Sequence, residues 1–578
     1  MEAGQVRRPR RRPTRSFAPV ELLVPAAIAL LISLILFRNG ITHLRSHVFG
    51  VAGDSELFVW SFRWVPWAIS HGVYPLTSHV VFSTTGGINL AHNTFAPLGA
   101  IVLWPVTALF GPVLSYNLYA LSAPMLDAVA GFIVLRPHLR RGPATFGSML
   151  FAFSPLAYTA SEGHPQVNHI WAATIGIALI VRALDSDDPR TRRRQSIGGG
   201  VLLALQLYMG IEMLALAALL VVASGLVLAS LDAEFRARAA TQLRRAPAAL
   251  APGVVAFAIL GAPFIATWLF GPERFFKIHQ FQDVTSADLA NFIVPSRATF
   301  FNGPTFVSRP PVVPFLGGER AAYIGFALVA VILYLTIRKW REFSGFFRFA
   351  VVSFWTGSLL ALGAELQIWG KNTHITLPWA ILVKTPILRS ALPTRLPIFT
   401  ALAVGALLGW MLENARSSTI PGIWKATAVI GVLMIIPGEA PTSFGVPTEQ
   451  AAKALASFCG KDAEVLTVPR LYAHHAMLIQ AQSNFSFHLV RAFGFRKSSS
   501  EFGDVVALDG ESGVQPDTAG IAQARQELQH LGATCVVALD STLAVWTVPP
   551  DLNRLAGFFG RPCTRIGADC AWRLDGGP

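Results

Sequence analysis

Apolar runs of about 17–23 residues recur along this chain, separated by short polar segments in which arginines cluster. Crossing a hydrocarbon core ~30 Å thick takes ~20 apolar residues in a helix, so the alternation constrains the chain to a bundle of membrane helices. Only 14% of its 578 residues are charged, against roughly 25% in a soluble domain. A net charge of +14 invites a nucleic-acid reading. The placement of the charge excludes it. Basic residues gather between spans at Arg7–Arg12, Arg136–Arg141, Arg190–Arg194, Arg236–Arg245 and Arg338–Arg341, the pattern that orients a membrane protein with these loops inside.

Placing the clusters inside predicts about eleven transmembrane helices. Residues 1–17 form a cytoplasmic basic tail, and the apolar stretch 18–37 is too long for a cleaved signal peptide. A long outside loop, 38–111, follows. Further spans are expected at 113–135, 144–160, 167–183, a hairpin over 196–231 turning at Tyr208–Gly210, then 247–270, 320–337, 349–368, 397–413 and 426–438. The segment 94–111, TFAPLGAIVLWPVTALFG, is apolar enough to cross, but crossing would invert every later cluster. We read it as an outer interfacial helix broken by Pro97 and Pro105. Trp60, Trp64 and Trp67 recur at i, i+4, i+7 on one side of a helix expected to begin at Leu57. This suits either a headgroup-level helix or a patch packed on other helices.

After Pro441 the composition changes. β-like runs at Glu464–Val468 and Thr534–Leu539 lie beside alanine-rich helical patterns at 448–458 and 519–531, predicting a small α/β domain over 441–578, outside the cell membrane. Cys459, Cys535, Cys563 and Cys570 all fall here. An even number in one soluble segment points to disulfides in an oxidising compartment, Cys563–Cys570 most directly; four reduced buried thiols are the alternative. No phosphate loop, nucleophile elbow or zinc spacing occurs in it, so the domain reads as a lid or an acceptor-positioning element.

The best catalytic candidate is Asp54 in Gly53-Asp54-Ser55-Glu56, at the membrane boundary beside the tryptophans. Partial burial there would raise its basicity and let it accept a proton from a hydroxyl. Capping the helix after Glu56 is the competing role. A second polar group is Glu162-Gly-His164-Pro-Gln-Val-Asn-His169, at the outer mouth of two spans, where Glu162, His164 and His169 could contact a sugar or phosphate or hold a metal, plain solvation of the loop being the competing role. Arg389 and Arg395, just before the span at 397–413, could grip phosphate oxygens or simply flank the helix. Glu212 is a weaker third acid. No motif assigns a metal, and the cofactor stays unknown, with a divalent ion unsupported by spacing.

An acidic residue opening the long loop after the first span resembles the GT-C superfamily of integral-membrane glycosyltransferases. So does the proline-containing segment 94–111, and the run LLALGAELQIWG followed by LPWAILVKTPILRSALPTRLPIF is similar to bacterial members related to the YfhO-like and mannosyltransferase-like proteins. The resemblance covers roughly 18–440. It implies a GT-C-like fold in the bacterial inner (plasma) membrane and a lipid-linked (polyprenyl-phosphate) sugar donor. It also implies a glycan, lipid or protein acceptor and a loop carboxylate acting as base. That role falls on Asp54 or Glu56, spaced by one. The competing classes are a transporter or flippase and a scaffold of envelope polysaccharide assembly. Transporters place ionisable groups at the bilayer midplane, whereas the interiors of these spans are almost free of charge, with Asp127 and Glu212 the exceptions, and the polar groups gather at the outer mouth.

Overall fold

The computed structural model describes residues 18–93, 95–274, 286–295, 299–300, 322–385, 388–438, 441–469, 473–494, 522, 526, 528–539 and 550–574. Among them six helices are long and apolar enough to cross a membrane: Pro19–Leu36, Pro112–Leu135, Pro165–Asp185, Pro189–Leu231, Ala233–Phe270 and Pro393–Glu413. Gly345–Ala361 and Gly422–Met434 are shorter apolar helices. The elements that position the site are α1 (Leu23–Leu36), strand β1 (His47–Phe49), α2 (Asp54–Ser70), α3 (Pro112–Leu135), α4 (Trp171–Asp185), α5 (Pro189–Leu231), α6 (Ala233–Phe270), α7 (Gly345–Ala361) and α8 (Pro397–Glu413).

Helix α5 is two helical limbs that meet at Gly210, whose φ of 172° and ψ of 99° leave the helical region. Ion pairs show that its two ends lie together. Asp185, just before the first limb, pairs with Arg238, one and a half turns past Asp232, and Asp187 lies 3.3 Å from Arg245. Asp232 itself lies 2.7 Å from Arg348 at the start of α7. At the opposite end Glu212 accepts from the Leu392 amide at 2.7 Å. The chain therefore turns back near Tyr208–Gly210, as the sequence predicts. Small residues let neighbouring helices approach closely: a side-chain carbon added at Gly200 of α5 would sit 2.0 Å from the Gly253 carbonyl oxygen of α6, and one at Gly147 2.4 Å from that of Gly405 in α8. Such crossings give membrane helices their packing contact where no hydrophobic drive exists between them. Val222, Leu226, Val254, Val255 and Ile259 remain exposed on the outer faces of α5 and α6, the surface that lipid covers.

Several expected elements differ. The stretch 144–160 is two helices, Arg141–Ala152 and Pro155–Ala160, because Ser154 accepts from the Ala157 amide and restarts the helix with Pro155 in its first turn. The helix expected over 349–368 stops at Ala361, and Glu365–Ile368 instead pairs with Lys371–Thr376 as a hairpin. Pro97 and Pro105 stand in the first turns of two short helices, Pro97–Val102 and Trp104–Phe110, rather than inside one. Helix α2 begins at Asp54, not Leu57.

The C-terminal part forms a mixed five-stranded sheet. Strand β2 (Ser443–Gly445) lies apart from it and pairs with β1. The sheet consists of β3 (Glu464–Val468), β4 (His488–Leu489), β5 (Cys535–Ala538), β6 (Thr564–Ile566) and β7 (Asp569–Arg573), in the order β6-β7-β5-β3-β4. Helix α9 (Ala473–Gln482) connects β3 and β4; the expected helix over 519–531 lies largely outside the described residues. This part is not a detached lid. The Leu489 amide donates to the Val80 carbonyl at 2.8 Å, and Trp60, Trp64, Phe485, Leu489 and Val537 share one buried core with the long loop.

All four cysteines are paired, Cys459 with Cys535 and Cys563 with Cys570, across sequence separations of 76 and 7. On chain-entropy grounds the longer closure contributes about 4.5 kcal/mol and the shorter about 2.4 kcal/mol. Thermal unfolding of the double variants Cys459→Ala/Cys535→Ala and Cys563→Ala/Cys570→Ala should show the larger loss in the first. Equal losses would contradict the assignment.

Candidate active site

Gly53, at φ 128°, turns the chain into α2 and places two acids in its first turn. The capping role belongs to the second. Glu56 reaches back so that its Oε2 accepts from the Gly53 amide at 3.1 Å, the return half of a capping box. Its Oε1 lies 2.8 Å from Nδ1 of His475, and both side chains are almost fully buried. Asp54 is left to face outward. Its Oδ2 lies 2.9 Å from Nε2 of His164 and its Oδ1 3.3 Å from Nε2 of His474, with about a quarter of the Asp54 side chain exposed.

The electrostatics run opposite to the expectation of raised basicity. Burial does push the Asp54 carboxyl up, but the imidazoles of His164 and His474 beside it outweigh this and hold the group well below the usual carboxylate range. Asp54 therefore stays ionised throughout the physiological range. The loop carrying these groups is tied down by its backbone: the Gly50 amide donates to the Thr442 carbonyl at 2.7 Å and Val51 to the Glu162 carbonyl at 3.0 Å. The first of these ties comes from the C-terminal part and the second from the 162–169 loop.

The other predicted residues are distributed unevenly. His164 joins Asp54, and Glu162 holds the loop beneath it through its carbonyl. His169 instead sits in the packed interior, its Nε2 2.9 Å from the Tyr119 carbonyl and its ring stacked on Tyr119 at 3.7 Å. Arg395 pairs with Glu212, joining two residues read separately in the sequence. Arg389 lies on the short turn Leu388–Ser390 on the same loop. Trp60 and Trp64 are fully buried, packed against protein. They stack on each other at 5.4 Å, and Phe485 meets both edge-on.

His474 and His475 escape a sequence reading. They lie about 420 residues from the acids they meet, and no spacing rule links a pair of adjacent histidines in an alanine-rich helix to a loop that distant. The only hint is the dipeptide itself, in a segment with no other chemistry. Among the described residues, no group of three or more His, Cys, Asp or Glu side chains is arranged to hold a metal ion.

No protein-family model and no curated protein sequence matches the chain significantly. Solved structures do. The oligosaccharyltransferase of Archaeoglobus fulgidus in its apo form superposes with a TM-score of 0.52 at 15% identity, over 89% of this chain and 69% of that one. The same archaeal enzyme in complex with an inhibitory peptide and a dolichol-phosphate gives 0.51 at 14% identity, over 89% and 69%. The arabinofuranosyltransferase AftD from Mycobacteria gives 0.56 at 14% identity, over 98% of this chain and 40% of that one. At these identities the likeness is one of fold.

The two bonds of Glu56 generate an expected outcome. Glu56→Ala removes the acceptor of the Gly53 amide and the carboxylate facing the buried His475, and should cost about 1–3 kcal/mol of stability. Glu56→Gln, whose amide can accept from Gly53 and donate to His475, should change it by about 1 kcal/mol or less. Melting temperatures of the two purified variants check this, and similar losses in both would contradict it.

Proposed function

Because the chain carries the GT-C glycosyltransferase fold, we propose that it is a membrane glycosyltransferase moving a sugar from a polyprenyl-phosphate donor to an envelope acceptor on the outer face. The observation that carries this reading is Asp54, a carboxylate at the start of α2, held between two imidazoles and partly open to solvent. Proton transfer from an acceptor hydroxyl to a positioned carboxylate is the task that such a group suits. In the reaction the hydroxyl proton passes to Asp54 as the oxygen bonds to the anomeric carbon. The bond from that carbon to the phosphate oxygen breaks, and the lipid phosphate leaves with the electron pair.

A lipid phosphate is the donor chemistry supported by the fold likeness, since the archaeal enzyme of this fold is seen with a dolichol-phosphate. In this chain the phosphate falls to Arg389 and Arg395, on the loop leading into α8, with the Arg395 guanidinium oriented by Glu212. The topology belongs to the same reading: about eleven crossings in the inner membrane, counting the two limbs of α5 separately, with residues 441–578 outside. A conduit is less well supported. Asp127, the acid inside α3, is fully buried in the packed bundle instead of lining an open path.

Asp54→Asn keeps the shape and should leave folding and membrane insertion intact while lowering transfer by roughly 10²–10⁴. The assay is incorporation of labelled sugar from polyprenyl-phosphate donors by purified protein in lipid. Wild-type rates in a well-folded Asp54→Asn protein would end the assignment of Asp54 as base.

A further inference from the structure

We propose that the C-terminal part supplies half of the active site: His474 of α9, together with His164, positions Asp54, and the adjacent His475 positions Glu56. The inference rests on the transferase reading above and extends it to the domain that the sequence leaves without chemistry.

Four observations carry it. First, two consecutive residues of α9 address the two acids of α2, His474 at 3.3 Å from Asp54 and His475 at 2.8 Å from Glu56. A chance helix contact would place one such pair, not two in register. Second, the pairs differ in exposure. His475 and Glu56 are 6% and 3% exposed, whereas His474 and Asp54 are 17% and 25% exposed. The inner pair is sealed, and the outer pair opens toward the mouth where an acceptor arrives. Third, the register is locked by a separate buried group. Gln480 accepts from the Trp60 indole at 2.9 Å and donates to the carbonyls of Val80 at 2.7 Å and Phe487 at 2.9 Å. Phe493 stacks on the His474 ring at 3.6 Å and sets its plane. Fourth, carboxylate–imidazole pairs are poor sources of stability compared with apolar side chains of similar size. Two of them side by side at a candidate base, one sealed and one partly open, therefore point to a task other than holding the fold.

The groups facing Asp54 are few. His164 approaches from the 162–169 loop and His474 from α9, while Tyr116 of α3 donates instead to the Phe49 carbonyl at 3.0 Å. Glu56 with His475 lies one step deeper. Losing His474 removes a partner of the ionised carboxylate and leaves burial to push its protonation upward. The acid limb of the transfer profile, which reports protonation of the base, should then move to higher pH.

The test uses the full-length protein in lipid and three variants, His474→Ala, His474→Gln and His475→Gln. His474→Ala should lower transfer about 10- to 100-fold, as misplacement of a reacting group does, and shift the acid limb upward. His474→Gln, which keeps an N–H donor at similar reach, should recover much of the rate. Added imidazole should partly rescue His474→Ala. Carbodiimide labelling of Asp54, read by peptide mass spectrometry, reports its protonation without any turnover. Labelling at about pH 5 should be weak in wild type and His475→Gln, and strong in His474→Ala. An unchanged rate, acid limb and labelling in His474→Ala would overturn the proposal. So would a lower rate at every pH with no shift in the limb or in labelling, which marks a structural role. Should wild type transfer no sugar from any donor, the transferase reading fails, and the labelling experiment still decides whether His474 controls Asp54.

Discussion

The contact between α2 and α9 is the constraint on which the rest of the site depends. Helix α2 carries its acids in its first turn and a wall of stacked indoles further along, and neither is stable alone. The indoles are buried only because Phe485 and the neighbouring core of the C-terminal sheet cover them, and burying aromatic side chains is worth kilocalories each. The Trp60 indole N–H finds its acceptor on Gln480. Once this apolar contact sets the register, His474 and His475 meet Asp54 and Glu56 without further adjustment. Hydrophobic burial supplies the energy, and the polar pairs supply the specificity.

The membrane helices serve this contact as a rigid frame. Glycine crossings at Gly200–Gly253 and Gly147–Gly405 allow backbones to touch. The break at Gly210 turns α5 back beside the loop holding Gln166, just after the segment that presents His164. The Glu212–Arg395 pair ties this turn to the entry of α8. The acids of the described ion pairs gather at the two ends of the spans, while the outward faces stay apolar. A frame of this kind can hold a charged cleft at one mouth without placing charge in lipid.

Much of the frame was legible in the sequence because lipid imposes a single strong rule, long apolar runs with basic loops on one side. The turn near Gly210 follows from that rule, and so do the spans beginning at Pro112 and ending at Glu413. Local chemistry decided what the rule could not: Ser154 and Pro155 restart a helix inside an apolar run, and Glu365–Ile368 leaves the helix for a hairpin. The acids of the loop were readable from their place beside the first span. The division of labour between them was only half readable: the bond from the Gly53 amide to Glu56 is local, but the buried partner that holds Glu56, His475, is not. That partner lies 419 residues away and is brought in by tertiary packing alone. For the same reason the tryptophan stripe fitted a headgroup belt equally well until Phe485 and Gln480 were seen against it.

The central claim is that Asp54 and His474 act as one unit across the interface between the loop and the C-terminal part. A double-mutant cycle on transfer rate tests it most directly, combining Asp54→Asn with His474→Ala in the full-length protein. The account predicts strong coupling: the loss of about 10- to 100-fold caused by His474→Ala in wild type should nearly vanish once Asp54 is asparagine. The same fold-loss in both backgrounds would contradict it, because the histidine would then act independently of the carboxylate it faces.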